Sequence, residues 1–433
     1  MIVLNSAKAI TELLEKRSSN YSDRPYMPMN NGIIGWDWNF GLMRYNDAWR
    51  MRRRIFHQYF QQSTVDAHQP VQMKATYGLL RNLLERPERF MDHARLHAGS
   101  IILQLTYGYE IQGHDDDYVA LAAAAREGYA PRGISSSYLV DFFPSLKFIP
   151  EWMPGADFKR KAKKWRYSVL ALRDRPYDLY KATATQETPK FPSFVAENLE
   201  RLSTQNPGAE IDDMIKESAG VAYFSGAETT ISVVLSFILA MVMYPSVIKR
   251  AQEELDLVVG KHKLPNFSDR PMLPFVEAIF LESLRWNPVA PLGVPHANVA
   301  DDVYEGYHIP AGSIVVGNIW AFFHNKEHFP EPSVFNPDRF YNKDKEDIPL
   351  DPTEFAFGSG RRICPARHLA NNTAWIAIAT ILAAFDIEKA KDSDGAVIEP
   401  SGEYTSGHTS RPVAFPCVIK PRSEAHRNLV LSL

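Results

Sequence analysis

Residues 212–244 constrain this chain more than any other stretch. They read as one long helix with apolar side chains on almost every side. A helix that is apolar all round has to be enclosed by protein on every face. Enclosing it takes several further helices, and 433 residues suffice, because a chain of that length buries roughly three quarters of its unfolded surface. A membrane span is the poorer reading. The longest apolar run, residues 231–244, contains Ser232 and Ser236 and falls short of the ~20 residues that a bilayer needs. In the middle of the helix stands Ser225-Gly226-Ala227-Glu228-Thr229-Thr230. A carboxylate and hydroxyls at that depth are costly unless paired. Thr229 and Thr230 can bond back to preceding carbonyls with Glu228 at a local surface, or the group carries chemistry.

Helical periodicity also predicts helices over residues 6–17, 47–61, 71–84, 91–107, 118–129, 157–180, 246–259, 274–285 and 366–384. Strand-like pieces are few: 2–4, 303–309, 313–317 and 414–419. Proline concentrates in residues 288–337, yet apolar and aromatic side chains persist there, so this is an ordered connector and not a linker. The expected fold class is therefore mainly α with a minor β part, in a single large domain. A net charge of −3 argues against a nucleic-acid partner. Only two cysteines, Cys364 and Cys417, exclude a disulfide framework and a cysteine zinc finger, and they suit a reducing, cytosol-facing setting. The first residues (MIVLNSAKAITELLEKR) lack the charged start, apolar core and cleavage site of a signal peptide.

The most informative loop is Phe355-Ala-Phe-Gly-Ser-Gly-Arg-Arg-Ile-Cys364-Pro-Ala-Arg-His. It presents a thiol immediately before a helix, with Pro365 suited to the first helical position. A helix N-terminus and the neighbouring Arg361 and Arg362 favour thiolate over thiol. Gly358 and Gly360 allow backbone N–H groups to turn toward the sulfur, which tunes a metal-bound thiolate. Such a thiolate can be a nucleophile, a redox sensor or a single axial ligand to haem iron. Cys417, in an apolar strand pattern, reads as an ordinary structural cysteine.

Phe357-x-x-Gly360-x-Arg362-x-Cys364 resembles the haem-binding signature of the cytochrome P-450 family, the haem-thiolate monooxygenases; Ala366 stands where the family usually has glycine. The resemblance implies heme b, its iron axially ligated by Cys364. Glu282-x-x-Arg285 places two charges on one helix face, a spacing that Glu424-x-x-Arg427 repeats. With Phe335-Asn-Pro-Asp-Arg339-Phe340 downstream, Glu282, Arg285 and Arg339 resemble the family's buried charged network. Glu228 and Thr229 resemble its acid–threonine pair, a proton relay, with Gly226 leaving room for dioxygen. Trp49-x-x-x-Arg53, His296 and Arg362 would hold the haem propionates by the same resemblance. Arg50, Arg52 and Arg54 form either a solvated basic face or a docking patch for an acidic flavoprotein.

His93-x-x-x-His97 has metal-ligand spacing, but Ala94 stands where a zinc-protease helix needs glutamate, so two ordinary helix histidines are expected. With no phosphate-binding loop, NADPH electrons are expected through a separate reductase. The implied reaction inserts one oxygen atom of O2 into a hydrophobic small molecule (terpenoid, polyketide or sterol-like), in secondary metabolism by analogy with fungal members. The alternatives are a peroxide isomerase or dehydratase on the same fold and a catalytically silent haem-binding protein. Expected pocket segments are residues 30–45, 135–143, 219–227, 289–294 and 407–409. The resemblance starts late: the family's membrane anchor, first helix and first strand are not matched within residues 1–433. An endoplasmic-reticulum membrane is expected for full-length members, and a soluble or peripheral state for this chain. An aromatic then basic stretch, residues 138–154 followed by 159–164, suits peripheral contact with an anionic membrane or an interhelix loop with a solvated basic helix behind it.

Overall fold

The long apolar segment folds as the helix Ala209–Met243, and the other long helices arrange themselves around it. The computed structural model describes residues 1–129, 138–184, 192–203, 209–341 and 350–433. Among the described residues this central helix is the one long and apolar enough to cross a membrane, and it is buried inside the protein instead. Phe90–Tyr107, Asp157–Thr183, Phe194–Ser203, Pro274–Trp286 and Arg367–Ala384 pack against it. The periodic helices form within a few residues of their expected ends. Phe194–Ser203 and Glu424–Leu431 form beyond those expected.

The β part is small. Ile2–Leu4 pairs in parallel with Ile314–Gly317, which pairs antiparallel with His296–Ala297. The strand expected over 303–309 is instead a hairpin, Asp302–Tyr304 with Tyr307–Ile309. Glu305 (φ 48) and Gly306 (φ 83) turn the chain there in the left-handed region that only short turns tolerate. Phe385–Lys389 pairs with Cys417–Pro421 and was not expected, because it continues directly from an apolar helix.

Two local features seat the Cys364 loop. Ser6 caps the helix Ala7–Ile10, which then widens into a π-helix, Thr11–Lys16. Gly360 (φ 59) lies on that wider turn, where a Cβ would sit 2.1 Å from the Leu14 carbonyl oxygen. The buried apolar side chains form two clusters, and the central helix feeds both. Met214–Ala227 side chains belong to one and Ile231–Val242 side chains to the other. The changeover falls at Glu228–Thr230, the polar interruption in the helix.

Candidate active site

A cavity of about 350 Å³ opens where the two clusters meet. One wall is the Cys364 loop, with Phe357, Gly358, Pro365 and Ala366; the opposite wall is the central helix from Val221 to Val233. Expected pocket segments 30–45, 219–227, 289–294 and 407–409 each contribute lining residues. Residues 135–137 lie outside the described residues, and 138–143 do not line the cavity, because Leu139, Phe142 and Phe143 point to the exterior.

Cys364 lines the cavity, and its backbone N–H donates to the Phe357 carbonyl at 2.8 Å. The surroundings of its sulfur differ from expectation. The helix begins at Arg367, so Pro365 lies in the preceding turn and not at the first helical position. The amide that reaches the sulfur is that of Ala366, and the nearby cations are Arg53 and Arg367. Burial still outweighs them and pushes the thiol above its ordinary value. Gly358 sends its N–H to the Phe355 carbonyl, so it shapes the turn and does not solvate sulfur. Arg361 is exposed and donates to the Tyr45 hydroxyl at 2.9 Å.

The edge of the cavity is unusually rich in buried guanidinium. Arg362 donates to the carbonyls of Ser22 (2.7 Å), Phe40 (3.3 Å) and Met43 (2.8 Å) and lies 4.4 Å over the Trp49 ring. Arg24, which sequence reasoning missed, donates to Gly41 (3.0 Å), Val294 and Pro295 (both 2.7 Å). Neither has a carboxylate within ion-pair distance among the described residues. Burial lowers Arg362 to about 8 and Arg24 to about 10. Arg53 also lines the cavity, lowered to about 10 by burial. His296 lines it as well, its Nδ1 2.7 Å from the Tyr21 carbonyl, and burial keeps its ring neutral. Buried cations without anions are costly. A flat group with two carboxylates on one edge and a metal facing the Cys364 thiol fits this donor set.

On the opposite wall Glu228 is buried and lies 3.2 Å from Arg126 Nε and 3.7 Å from Arg411. Burial raises its pKa, against the pull of these cations and Arg95. Thr229 lines the cavity and donates its hydroxyl to the Ser225 carbonyl at 2.9 Å. The expected relay is thus only partly assembled: Glu228 and Thr229 share the wall without a hydrogen bond between them. Gly226 lines the cavity, and a Cβ there would sit 2.6 Å from Ile102, so the glycine also lets two helices approach.

The structure brings Glu282, Arg285 and Arg339 together. Arg285 holds Glu282 through two 2.7 Å bonds, with both side chains fully buried. Arg285 also donates to the Phe323 and Pro332 carbonyls at 2.9 Å, and Glu282 accepts from the Asn336 N–H at 2.9 Å. Arg339 Nε lies 3.4 Å from Glu282. Together they clamp the connector to the helix Pro274–Trp286. Of the arginines on the helix Asp47–Phe60, Arg52 is not part of an open basic face; it pairs with Glu217 at 2.6 Å. Arg50 and Arg54 remain exposed. His93 contacts His114 (3.1 Å) and the Arg86 carbonyl (2.7 Å), while His97 contacts Thr76 (3.1 Å), and no metal-like cluster occurs among the described residues.

Arg24, Arg126, Arg367 and Arg411 were not legible as site residues. Arg367 left one signal, a cation in the first turn of a helix, where the dipole disfavours it. The others are single arginines in unremarkable contexts.

A family model described as cytochrome P450 matches residues 1–409. A cytochrome P450 monooxygenase of Armillaria gallica is 44% identical over 99% of this chain and 84% of its own length. The tryptamine 4-monooxygenase of Psilocybe cyanescens is 38% identical over 98% of this chain and 84% of its own length. A zebra fish cytochrome P450 solved with progesterone superposes with a TM-score of 0.80 at 23% identity, covering 97% of this chain and 93% of that one.

Proposed function

This chain belongs to the cytochrome P450 family, and on that premise we propose that Cys364 is the thiolate that would hold its haem iron and that Glu228 and Thr229 would deliver protons from the opposite wall. The chain is a fungal-type haem-thiolate monooxygenase of secondary metabolism, its haem iron held by a cysteine, served by a redox partner and acting on a hydrophobic substrate. Relatives named as monooxygenases do not favour the peroxide isomerase or the silent haem-binding reading.

The bound haem supplies dioxygen activation, which a cysteine thiolate promotes by pushing electron density that favours O–O cleavage. The chain's own residues do the rest. Coordination to a metal deprotonates a thiol outright, so the burial that raises Cys364 does not oppose ligation. The Ala366 amide and the charges of Arg53 and Arg367 stabilise that thiolate. Trp49, Arg53, Arg362 and His296 would hold the propionates, with Arg24 as a fifth member, and the buried arginines would thereby gain their missing anions. Phe357 and Gly360 shape the loop that carries the sulfur. Glu228, its pKa raised, holds a proton nearer neutral pH than an exposed carboxyl does. The Thr229 oxygen remains free to accept from Glu228's side while its proton is held at Ser225. Apolar walls from Phe56, Ile101, Ile102 and Phe224 exclude water and favour a terpenoid, polyketide or sterol-like substrate.

The observation that carries this reading is that Cys364, the unpaired buried arginines and Glu228 border one cavity. Its test is the reduced, CO-bound spectrum. The protein should show the red-shifted Soret band of thiolate ligation, and Cys364→Ala should lose it while retaining haem. An unshifted band in the unsubstituted protein would refute the assignment.

Two further contacts belong to the proposal. Exposed Arg50, Arg54 and Arg361 offer a cationic docking face for an NADPH-dependent flavoprotein reductase. Leu139, Phe142, Phe143, Phe148 and Trp152 are all more than 60% exposed beside the basic start of the helix Asp157–Thr183. That combination suits monotopic contact with an anionic membrane. Co-sedimentation with anionic vesicles should fall for Phe148→Ser/Trp152→Ser; unchanged binding would remove this contact from the proposal.

A further inference from the structure

Among the described residues four guanidiniums line the cavity, those of Arg24, Arg53, Arg126 and Arg362, against the single carboxylate of Glu228. Two haem propionates would still leave the balance positive. Arg411, outside the lining, adds a further cation at the Glu228 end. Arg126 Nε and Glu228 Oε2 approach to 3.2 Å without forming a hydrogen bond, and neither atom has a hydrogen-bond partner. Arg411 stands 3.7 Å from the same oxygen, with Arg95 behind, itself tied to Asp92 at 3.1 Å. Glu228 is only 6% exposed. Two guanidiniums thus converge on one buried carboxylate, and neither forms a hydrogen bond to it. With Arg95 answered by Asp92, Arg126 and Arg411 still share one carboxylate, and no further carboxylate lies within ion-pair distance of either among the described residues. Below Arg126 the walls turn apolar, with Ile102, Phe224 and Phe280.

Resting on the monooxygenase reading above, we propose that this cavity selects a substrate with an apolar body and one carboxylate, held by Arg126 with Arg411 behind it. The guanidinium fork matches a carboxylate in two-point geometry. In a partly desolvated site, a charge-assisted bond of this kind discriminates by roughly 10- to 100-fold against an uncharged analogue. The apolar body then extends along the walls toward the Cys364 side.

The haem-loaded enzyme is titrated spectrally with two acid–ester pairs, dodecanoic acid with its methyl ester and abietic acid with its methyl ester. At least one acid should perturb the haem spectrum at roughly tenfold lower concentration than its ester, or better. Arg126→Gln should erase that preference, and Arg126→Lys should keep part of it. Equal affinity of acid and ester, no perturbation by any of the four compounds, or a preference that survives Arg126→Gln overturns the proposal. The CO-bound spectrum is recorded for every variant. If it is normal and the acid preference is missing, this inference alone fails; if the unsubstituted protein lacks it, the monooxygenase reading fails with it.

Discussion

Glu282-x-x-Arg285 and Glu424-x-x-Arg427 are the same four-residue pattern on two helices, and they meet opposite fates. The first pair is fully buried and bidentate at 2.7 Å, with further bonds to three backbone groups of the connector. The second is a single 3.2 Å contact between side chains 71% and 49% exposed. Spacing sets which side chains can meet, while burial sets what the meeting is worth. A solvated pair contributes little because water and salt screen it, whereas a buried one leaves an uncompensated charge when broken.

The largest break in that comparison is Glu282→Ala. It strands Arg285 in the core and should cost about 3–5 kcal/mol, seen as lost thermal stability and poor haem retention. A small shift would mean that Arg285's carbonyl bonds suffice to hold it.

Next comes acid. Burial depresses His97 to about 4, whereas an unfolded histidine titrates near 6.5. The unfolded chain therefore binds the extra proton first. The neutral buried ring's contribution is complete above about 6.5 and is lost as pH falls toward 4, by roughly 3 kcal/mol. Denaturant unfolding across that window should show a shallower loss for His97→Gln; identical slopes would count against the buried neutral ring.

The two cysteines sharpen the contrast. Cys417 is raised to about 12 by burial, whereas at Cys364 the Ala366 amide, Arg53 and Arg367 pull against burial. Cys417→Ala should cost about 1 kcal/mol and leave the CO-bound spectrum untouched. A spectral change in that variant would put the ligand assignment in question. Smallest of all, Glu424→Ala should move stability by no more than about 0.5 kcal/mol, within the effect of raising salt.

Much of the site was legible before any coordinates. The Cys364 loop, Glu228 in an otherwise apolar helix, and the helices carrying Trp49 and Arg285 all read from local pattern. The hairpin at Glu305-Gly306 and the strand Phe385–Lys389 did not, since a two-residue turn and a helix-to-strand change leave weak periodicity. The packing role of Gly226 was not legible because its neighbour, Ile102, is remote in sequence. Arg24, Arg126 and Arg411 carried no motif at all.

Residue order alone determined the mainly helical class, the buried central helix and the thiol presented by a glycine-arginine turn, because periodicity, capping and turn chemistry act over a few neighbours. Tertiary structure decided which arginines lose their water, which carboxylate they face and which of two identical tetrads is buried. Those outcomes depend on desolvation, and only the packing of distant segments removes the solvent.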